Sequence, residues 1–130
     1  MLVTIDRPAK FNSLLHIHHW ELDRLWTWFE NEPSLRVAII TGKGTKAFCA
    51  GSHLLEIEAV EKTKHLNPSA NKPWEHTHPP SGFAGLSRRK GKKPILAAVN
   101  GVALGGGMEI TLNWYVSSAH CALDALTGWQ

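Results

Sequence analysis

The length, composition and charge of the chain suit a single globular domain. Of its 130 residues, 43% are hydrophobic and 19% are charged, which is enough to bury a core and too apolar for a chain disordered throughout. No apolar run approaches the ~20 residues that span a bilayer, and the first residues lack the basic-then-apolar pattern of a signal peptide. The sequence therefore predicts a soluble, intracellular protein without a membrane partner.

The formal net charge is +3, and basic residues concentrate between Arg88 and Lys93. Such a cluster is typical of a solvated loop, of a localisation signal, or of a site for the phosphates of a nucleotide-bearing ligand. Because no aromatic residues interleave with it, nucleic acid is not an expected partner. Cys49 and Cys121 are too few and too far apart for a disulfide framework, which fits a reducing compartment.

The first forty residues predict a strand, a helix and a second strand. Residues Leu2 to Ile5 alternate in the β-prone manner of a short strand. Asn12 or Ser13 is expected to cap an amphipathic helix that runs to about Phe29. Residues Arg36 to Thr41 form the clearest buried strand of the chain.

Histidines are the residues that raise the question of a metal site. His16 and His19 are three apart and can share one face of the helix, with His18 between them, and His76 and His78 follow in a later loop. No carboxylate or cysteine completes a recognisable ligand set with them. The sequence therefore predicts no metal site.

Three consecutive glycines follow a buried run and precede a helical segment. Residues Ile95 to Val99 read as a buried strand, and residues Met108 to Leu112 can run as a helix. Because consecutive glycines are entropically costly, Gly105 to Gly107 indicate close approach to another group or the presentation of bare N–H groups. Glu109 then stands in the first helical turn as a proton-transfer candidate. Tight packing and a surface glutamate at a helix start are the alternative interpretation.

The segment from Asn100 to Glu109 resembles the signature of the enoyl-CoA hydratase/isomerase family, the crotonase superfamily. In that family a second oxyanion-hole N–H and a catalytic glutamate lie here, so the resemblance implies these roles for Gly106 and Glu109. The segment from Pro79 to Leu86 is similar to fungal members in particular. Family members work in peroxisomes, mitochondria and cytosol, and the sequence does not distinguish these compartments.

A second segment, Ala47 to Ile57, resembles the family pattern Phe-x-Ala-Gly-x-Asp-Leu. The resemblance implies that Ser52 supplies the first oxyanion-hole N–H and that its neighbours wrap coenzyme A. His53 stands where the family usually has Asp, a departure that leaves the backbone donor in place. Coenzyme A enters as part of the substrate, and no other cofactor is expected. The implied residues for binding coenzyme A and substrate are Ser52, His53, Leu54, Leu55 and Gly106.

The fold implied by the resemblance is α/β, a ClpP/crotonase-type spiral of ββα units that is incomplete in this chain. Residues 1–130 then form the N-terminal part of a crotonase-like domain, with residues 58–92 as a variable loop or lid. The predicted strands Leu2 to Ile5, Arg36 to Thr41 and Ile95 to Val99 are expected in one sheet. Relatives continue into a second half that closes the site and builds a trimer interface, which implies a homo-oligomer or assembly with a longer paralogue.

Two function classes follow from the resemblance. The first is an enzyme that hydrates a fatty 2-enoyl-CoA thioester or shifts its double bond, using an oxyanion hole and a Glu acid/base. The family's second catalytic glutamate is missing near Trp129, and with one carboxylate isomerisation is chemically easier than hydration. The second class is a truncated, catalytically impaired relative that only binds coenzyme A or a longer paralogue.

Overall fold

The computed structural model describes residues 1–66 and 78–112 of the chain. Helices and strands alternate in this part, as in an α/β protein. The strands are β1 (Leu2–Ile5), β2 (Ala38–Gly42), β3 (Ala47–Cys49), β4 (Ile95–Ala98) and β5 (Val102–Ala103). The helices are α1 (His16–Asn31), α2 (Leu54–Leu66) and α3 (Gly106–Leu112), and two short 3-10 helices cover Pro8–Lys10 and Phe83–Gly85.

Two small parallel sheets organise the fold. Strands β1, β2 and β4 form the first sheet in that order, with Ala38 paired to Ile95. The expected sheet of three strands is therefore confirmed, although β2 begins two residues later than predicted. Strands β3 and β5 form the second sheet, and it is this pair that carries the two motifs singled out in the sequence.

Helix α1 packs its apolar face on the core through Trp26 and Phe29, which are both buried. The indole Nε1–H of Trp26 donates a 2.9 Å hydrogen bond to the carbonyl oxygen of Ala84. A buried indole N–H without an acceptor would be costly, so this bond fixes the 3-10 helix Phe83–Gly85 against α1. The segment that follows residue 78 is thereby held close to the first helix.

The start of α1 differs from the prediction. The helix begins at His16 after Leu15, so the expectation that Asn12 or Ser13 caps it is wrong. Asn12 is buried and bridges separate segments instead: its side-chain amide donates to the carbonyl oxygen of Ala47 at 2.7 Å and its oxygen accepts from the N–H of Arg7 at 3.0 Å. A side chain with these long-range partners is no longer available to a helix N-terminus.

The basic cluster is partly structural. Arg89, whose side chain is 7% exposed, forms an ion pair with Glu30 of α1. The ammonium group of Lys93 donates to the carbonyl oxygen of Phe29 at 2.9 Å, at the carbonyl end of the same helix. A cation at this end stabilises a helix, so the solvated-loop interpretation is wrong for these two residues.

Helix α2 begins two residues after Ser52 and continues to Leu66. The first part of the predicted lid, residues 58–92, is therefore helical, while residues 67–77 lie outside the described residues. The lid itself stays a prediction. Within the described ranges, no helix is both long and apolar enough to cross a membrane.

Candidate functional site

The parallel pairing of β3 with β5 brings the two predicted motifs together. The amide of Leu104, just after β5, donates a 3.0 Å hydrogen bond to the carbonyl oxygen of Cys49 at the end of β3. A β-carbon placed on Gly51 would lie 3.0 Å from the carbonyl oxygen of Leu104 and 3.5 Å from the amide nitrogen of Gly106. The chain at Gly51 thus lies against the start of α3, and Ser52 is the next residue along it.

The amide of Ser52 is set by a β-bridge to Leu14. The N–H of Leu14 donates to the carbonyl oxygen of Gly51, and the N–H of His53 donates to the carbonyl oxygen of Leu14, both at 2.9 Å. In a parallel bridge the residue between these two bonds turns its own N–H to the other side. No acceptor for the Ser52 amide is found in residues 1–66 and 78–112.

The amide of Gly106 stands at the start of α3, where N–H groups have no partner within the helix. The amides that follow it are bonded: Gly107 donates to the carbonyl oxygen of Leu104 at 2.9 Å, and Met108 donates to that of Gly105 at 2.9 Å. Among the described residues, no acceptor lies within hydrogen-bond distance of the Gly106 N–H. The predicted location of the glycines at a helix N-terminus is confirmed.

Close approach explains the glycine at position 106. A β-carbon there would lie 2.2 Å from Cδ2 and 2.3 Å from Cγ of Phe83, far inside van der Waals contact. The neighbouring Gly105 has φ of +51°, the left-handed region that favours glycine. The Phe83 ring therefore occupies the space of the absent side chain and supports the backbone that presents the Gly106 amide.

Other predicted site residues follow these two amides closely in sequence. Glu109 is exposed and lies in the first turn of α3, as expected. Leu54 and Leu55 open α2 with exposed fractions of 76% and 63%, so their side chains are accessible to a ligand. The Nδ1 of His53 lies 3.3 Å from the hydroxyl oxygen of Ser13, a contact that links the Ser52 loop to the segment before α1.

Comparison with known proteins assigns the family. The sequence profile described as enoyl-CoA hydratase/isomerase matches residues 1–114. The chain belongs to the enoyl-CoA hydratase/isomerase family. A mevalonyl-coenzyme A hydratase of Beauveria bassiana is 46% identical over 119 residues, which cover 86% of this chain and 39% of that protein. A mevalonyl-coenzyme A hydratase of Aspergillus fumigatus is 47% identical over 113 residues, with coverage of 87% and 38%.

A solved structure supports the fold assignment of this family member. The carnitinyl-CoA hydratase of Mycobacterium avium superposes with a TM-score of 0.70 at 34% sequence identity, over 88% of this chain and 41% of that one. The predicted crotonase-type α/β fold is therefore confirmed, as is the resemblance to fungal members. The chain spans about 39% of the length of the first curated relative it matches.

A cluster of aromatic rings beside the family motif was not predicted as a unit. His19 is 1% exposed, and its ring centroid lies 4.5 Å from that of His78 and 4.5 Å from that of Phe83. The spacing of His19, Leu22 and Trp26 on one helix face was the available signal that this histidine is buried.

No group of three or more His, Cys, Asp or Glu in the described part of the chain is arranged to hold a metal ion.

The buried histidine is neutral in the folded protein. Nδ1 of His19 accepts the N–H of Ala84 at 3.1 Å, so the neutral ring carries its proton on Nε2. Burial, followed by the nearby rings of His78, His16 and His18, lowers the pKa of His19 from 6.5 to about 3. The neutral His19 ring therefore has a structural role: it fixes the backbone of the 3-10 helix that contains Phe83.

Acid is expected to destabilise the protein through His19. Because the folded-state pKa lies below the ordinary value, the unfolded chain binds a proton between pH 6.5 and about 3 that the folded chain does not. The free energy of unfolding should be fully retained above pH 6.5 and fall by at most about 1.4 kcal/mol per pH unit below it. Urea unfolding at several pH values measures this slope.

The matched control is His19→Asn, whose side-chain oxygen can still accept the N–H of Ala84. This variant should be less stable near neutral pH, since a smaller side chain leaves a cavity. It should also lose less stability on acidification than the unmodified protein. An unchanged acid slope in His19→Asn would contradict the assignment of the slope to this ring.

Proposed function

We propose that the chain binds the thioester group of an acyl-CoA through the amides of Ser52 and Gly106, with Glu109 as a proton-transfer group. One observation carries the proposal: two N–H groups without an acceptor in the described residues lie on neighbouring strand ends, and a carboxylate follows one of them by a single helical turn. Family membership supports the same assignment, because the family profile matches residues 1–114 and so includes both the Ser52 segment and the Gly106 segment.

The two amides act on the thioester oxygen. When a proton leaves C2, or a nucleophile adds at C3, negative charge moves onto that oxygen and an enolate forms. Two N–H donors at ~2.9 Å stabilise this charge more than they stabilise the neutral carbonyl. Each such donor typically contributes ~3 kcal/mol to the transition state. The exposed carboxylate of Glu109 then exchanges the proton at the neighbouring carbon.

The reaction we favour is reversible addition of water to a 2-enoyl-CoA. The relatives compared above are all named hydratases, which favours hydration. One carboxylate considered alone would favour isomerisation. The position near Trp129, where relatives carry a second glutamate, lies outside the described residues. Leu54 and Leu55, together with His53, are proposed to contact coenzyme A, which is the only cofactor group the reaction requires.

The test is turnover of crotonyl-CoA by the full chain. Hydration removes the conjugated enoyl thioester, so its ultraviolet absorbance should fall in proportion to protein concentration. Butyryl-CoA, which has no double bond, is the matched control for absorbance and should give no change. Binding of coenzyme A without turnover of crotonyl-CoA would contradict the proposal and support the impaired-relative class.

A further inference from the structure

The short 3-10 helix Phe83–Gly85 contains a backbone conformation that its sequence does not favour. Ala84 has φ of +55° and ψ of +22°, in the left-handed region that a residue with a β-carbon rarely adopts. Its side chain is fully buried. Such an outlier persists only where the surrounding structure enforces it, and outliers of this kind concentrate at functional sites. The groups that hold Ala84 are therefore candidates for a role in function.

Two side chains of α1 hold Ala84, one on each side of its α-carbon. Nδ1 of His19 accepts the N–H of Ala84 at 3.1 Å, and the indole N–H of Trp26 donates to its carbonyl oxygen at 2.9 Å. The first bond orients the peptide plane that sets φ, and the second orients the plane that sets ψ. His19 and Trp26 are both 1% exposed, so neither bond competes with bulk water. Helix α1 therefore fixes both backbone dihedrals of Ala84.

The ring of Phe83, one residue earlier, connects this constraint to Gly106. Its Cδ2 and Cγ atoms would lie 2.2 and 2.3 Å from a β-carbon on Gly106, so the ring packs directly against the α-carbon of that residue. Phe83 is itself buried, and its N–H donates to the hydroxyl oxygen of Ser87 at 2.9 Å. If Ala84 relaxed to a common conformation, the Phe83 ring would project in another direction and no longer support the backbone at Gly106.

We propose that His19 and Trp26 are positioning residues for the Gly106 amide and act through Ala84 and the Phe83 ring. The inference rests on the proposed function, in which this amide is one of the two donors to the thioester oxygen. The effect of His19 and Trp26 is geometric, because a donor that stabilises an enolate must lie ~2.9 Å from the oxygen and point at it. Helix α1, which carries none of the reacting groups, thereby sets the geometry of the site.

The matched pair His19→Leu and His19→Asn tests the bond to the N–H of Ala84. Leucine keeps a side chain of similar size but cannot accept this N–H, whereas the side-chain oxygen of asparagine can. Exchange of the C2 hydrogens of butyryl-CoA in deuterium oxide is measured with the full chain, near neutral pH and at a temperature where each sample is folded. We expect His19→Leu to lower kcat for this exchange by about 10- to 100-fold with little change in KM, and His19→Asn to keep most of it.

Trp26→Phe removes the bond on the other side of Ala84, and it tests the proposal even where His19→Leu does not fold. Its matched control is Trp28→Phe, which removes an indole N–H from a side chain of the same helix that is 52% exposed. We expect Trp26→Phe to lower kcat for the same exchange by about 10-fold or more, and Trp28→Phe to leave it unchanged.

A second substitution, Ala84→Gly, tests whether the backbone conformation is what His19 controls. Glycine adopts a positive φ without the steric cost that alanine has, so it needs less support from α1. In the His19→Leu background, Ala84→Gly should therefore raise kcat by about fivefold or more. A mere packing defect at His19 would not be repaired in this way, because glycine only removes a further methyl group.

The position of the Gly106 amide is measured without substrate from its proton and nitrogen chemical shifts in NMR spectra. The signal should move in His19→Leu and Trp26→Phe, and it should stay close to that of the unmodified chain in His19→Asn and Trp28→Phe. An unmoved signal, or an equal loss of kcat in His19→Leu and His19→Asn, would overturn the positioning role. If the signal moves as expected but the unmodified chain exchanges no C2 hydrogen, the link between α1 and Gly106 stands and the proposed function fails.

Discussion

Replacing Glu109 with Gln is expected to abolish both hydration of crotonyl-CoA and exchange of the C2 hydrogens of butyryl-CoA in deuterium oxide, here called C2 exchange. Glutamine keeps the shape of the side chain and its hydrogen-bonding capacity but cannot accept a proton, so a loss of about 10²- to 10⁴-fold in rate is expected for a general acid/base. Since Glu109 is exposed, the midpoint of thermal unfolding should change little. Parallel assays of the two reactions, with a thermal melt of each sample, measure this.

The control for Glu109→Gln is Glu58→Gln on α2. Glu58 is also an exposed helical glutamate, its carboxylate pairs with Lys62 at 2.6 Å, and it is not among the residues proposed to bind or react with the substrate. An exposed pair of this kind contributes little to stability, so both activity and unfolding should stay close to those of the unmodified chain. If Glu109→Gln kept its C2 exchange, another group would have to carry the proton and the central assignment would fail.

Local sequence pattern was sufficient for the sheet and for the glycine turn. The apolar runs that became β2 and β4 are bounded by proline or by turn residues, which makes buried parallel strands the simplest interpretation. The glycines before Glu109 were attributed to close approach, and the ring of Phe83 against Gly106 is that approach. The strands and the glycine turn are marked by adjacent residues, so they can be predicted without a structure, whereas the identity of the ring that approaches Gly106 cannot.

The features that were missed depend on residues far apart in the chain. His19 bonds the backbone of Ala84 across 65 positions, and Asn12 bonds that of Ala47 across 35. A buried polar side chain is recognised in sequence only by its position on an apolar face, and its partner is not encoded in any local period. The ring cluster of His19, His78 and Phe83 is a product of the same long-range packing.

Gly106→Val is expected to damage both stability and activity. The added β-carbon would lie 2.2 Å from Cδ2 of Phe83, so either the ring or the start of α3 must move. Overpacking of this kind typically costs about 1–3 kcal/mol in the free energy of unfolding, and a β-branched residue adds stiffness. A shift of the backbone also misdirects one oxyanion donor, which is worth ~3 kcal/mol in the transition state.

A double-mutant cycle with Phe83→Ala separates the contact from other effects of valine. Phe83→Ala alone should destabilise the protein, because it empties a buried site beside His19. In the double variant valine can use the vacated space, so the combined loss in urea unfolding should be smaller than the sum of the two single losses. Strict additivity would show that valine at position 106 acts without contacting Phe83. Recovered stability without recovered C2 exchange would show that the ring directs the amide as well as packing against it, since the donor would remain misplaced after the clash is removed.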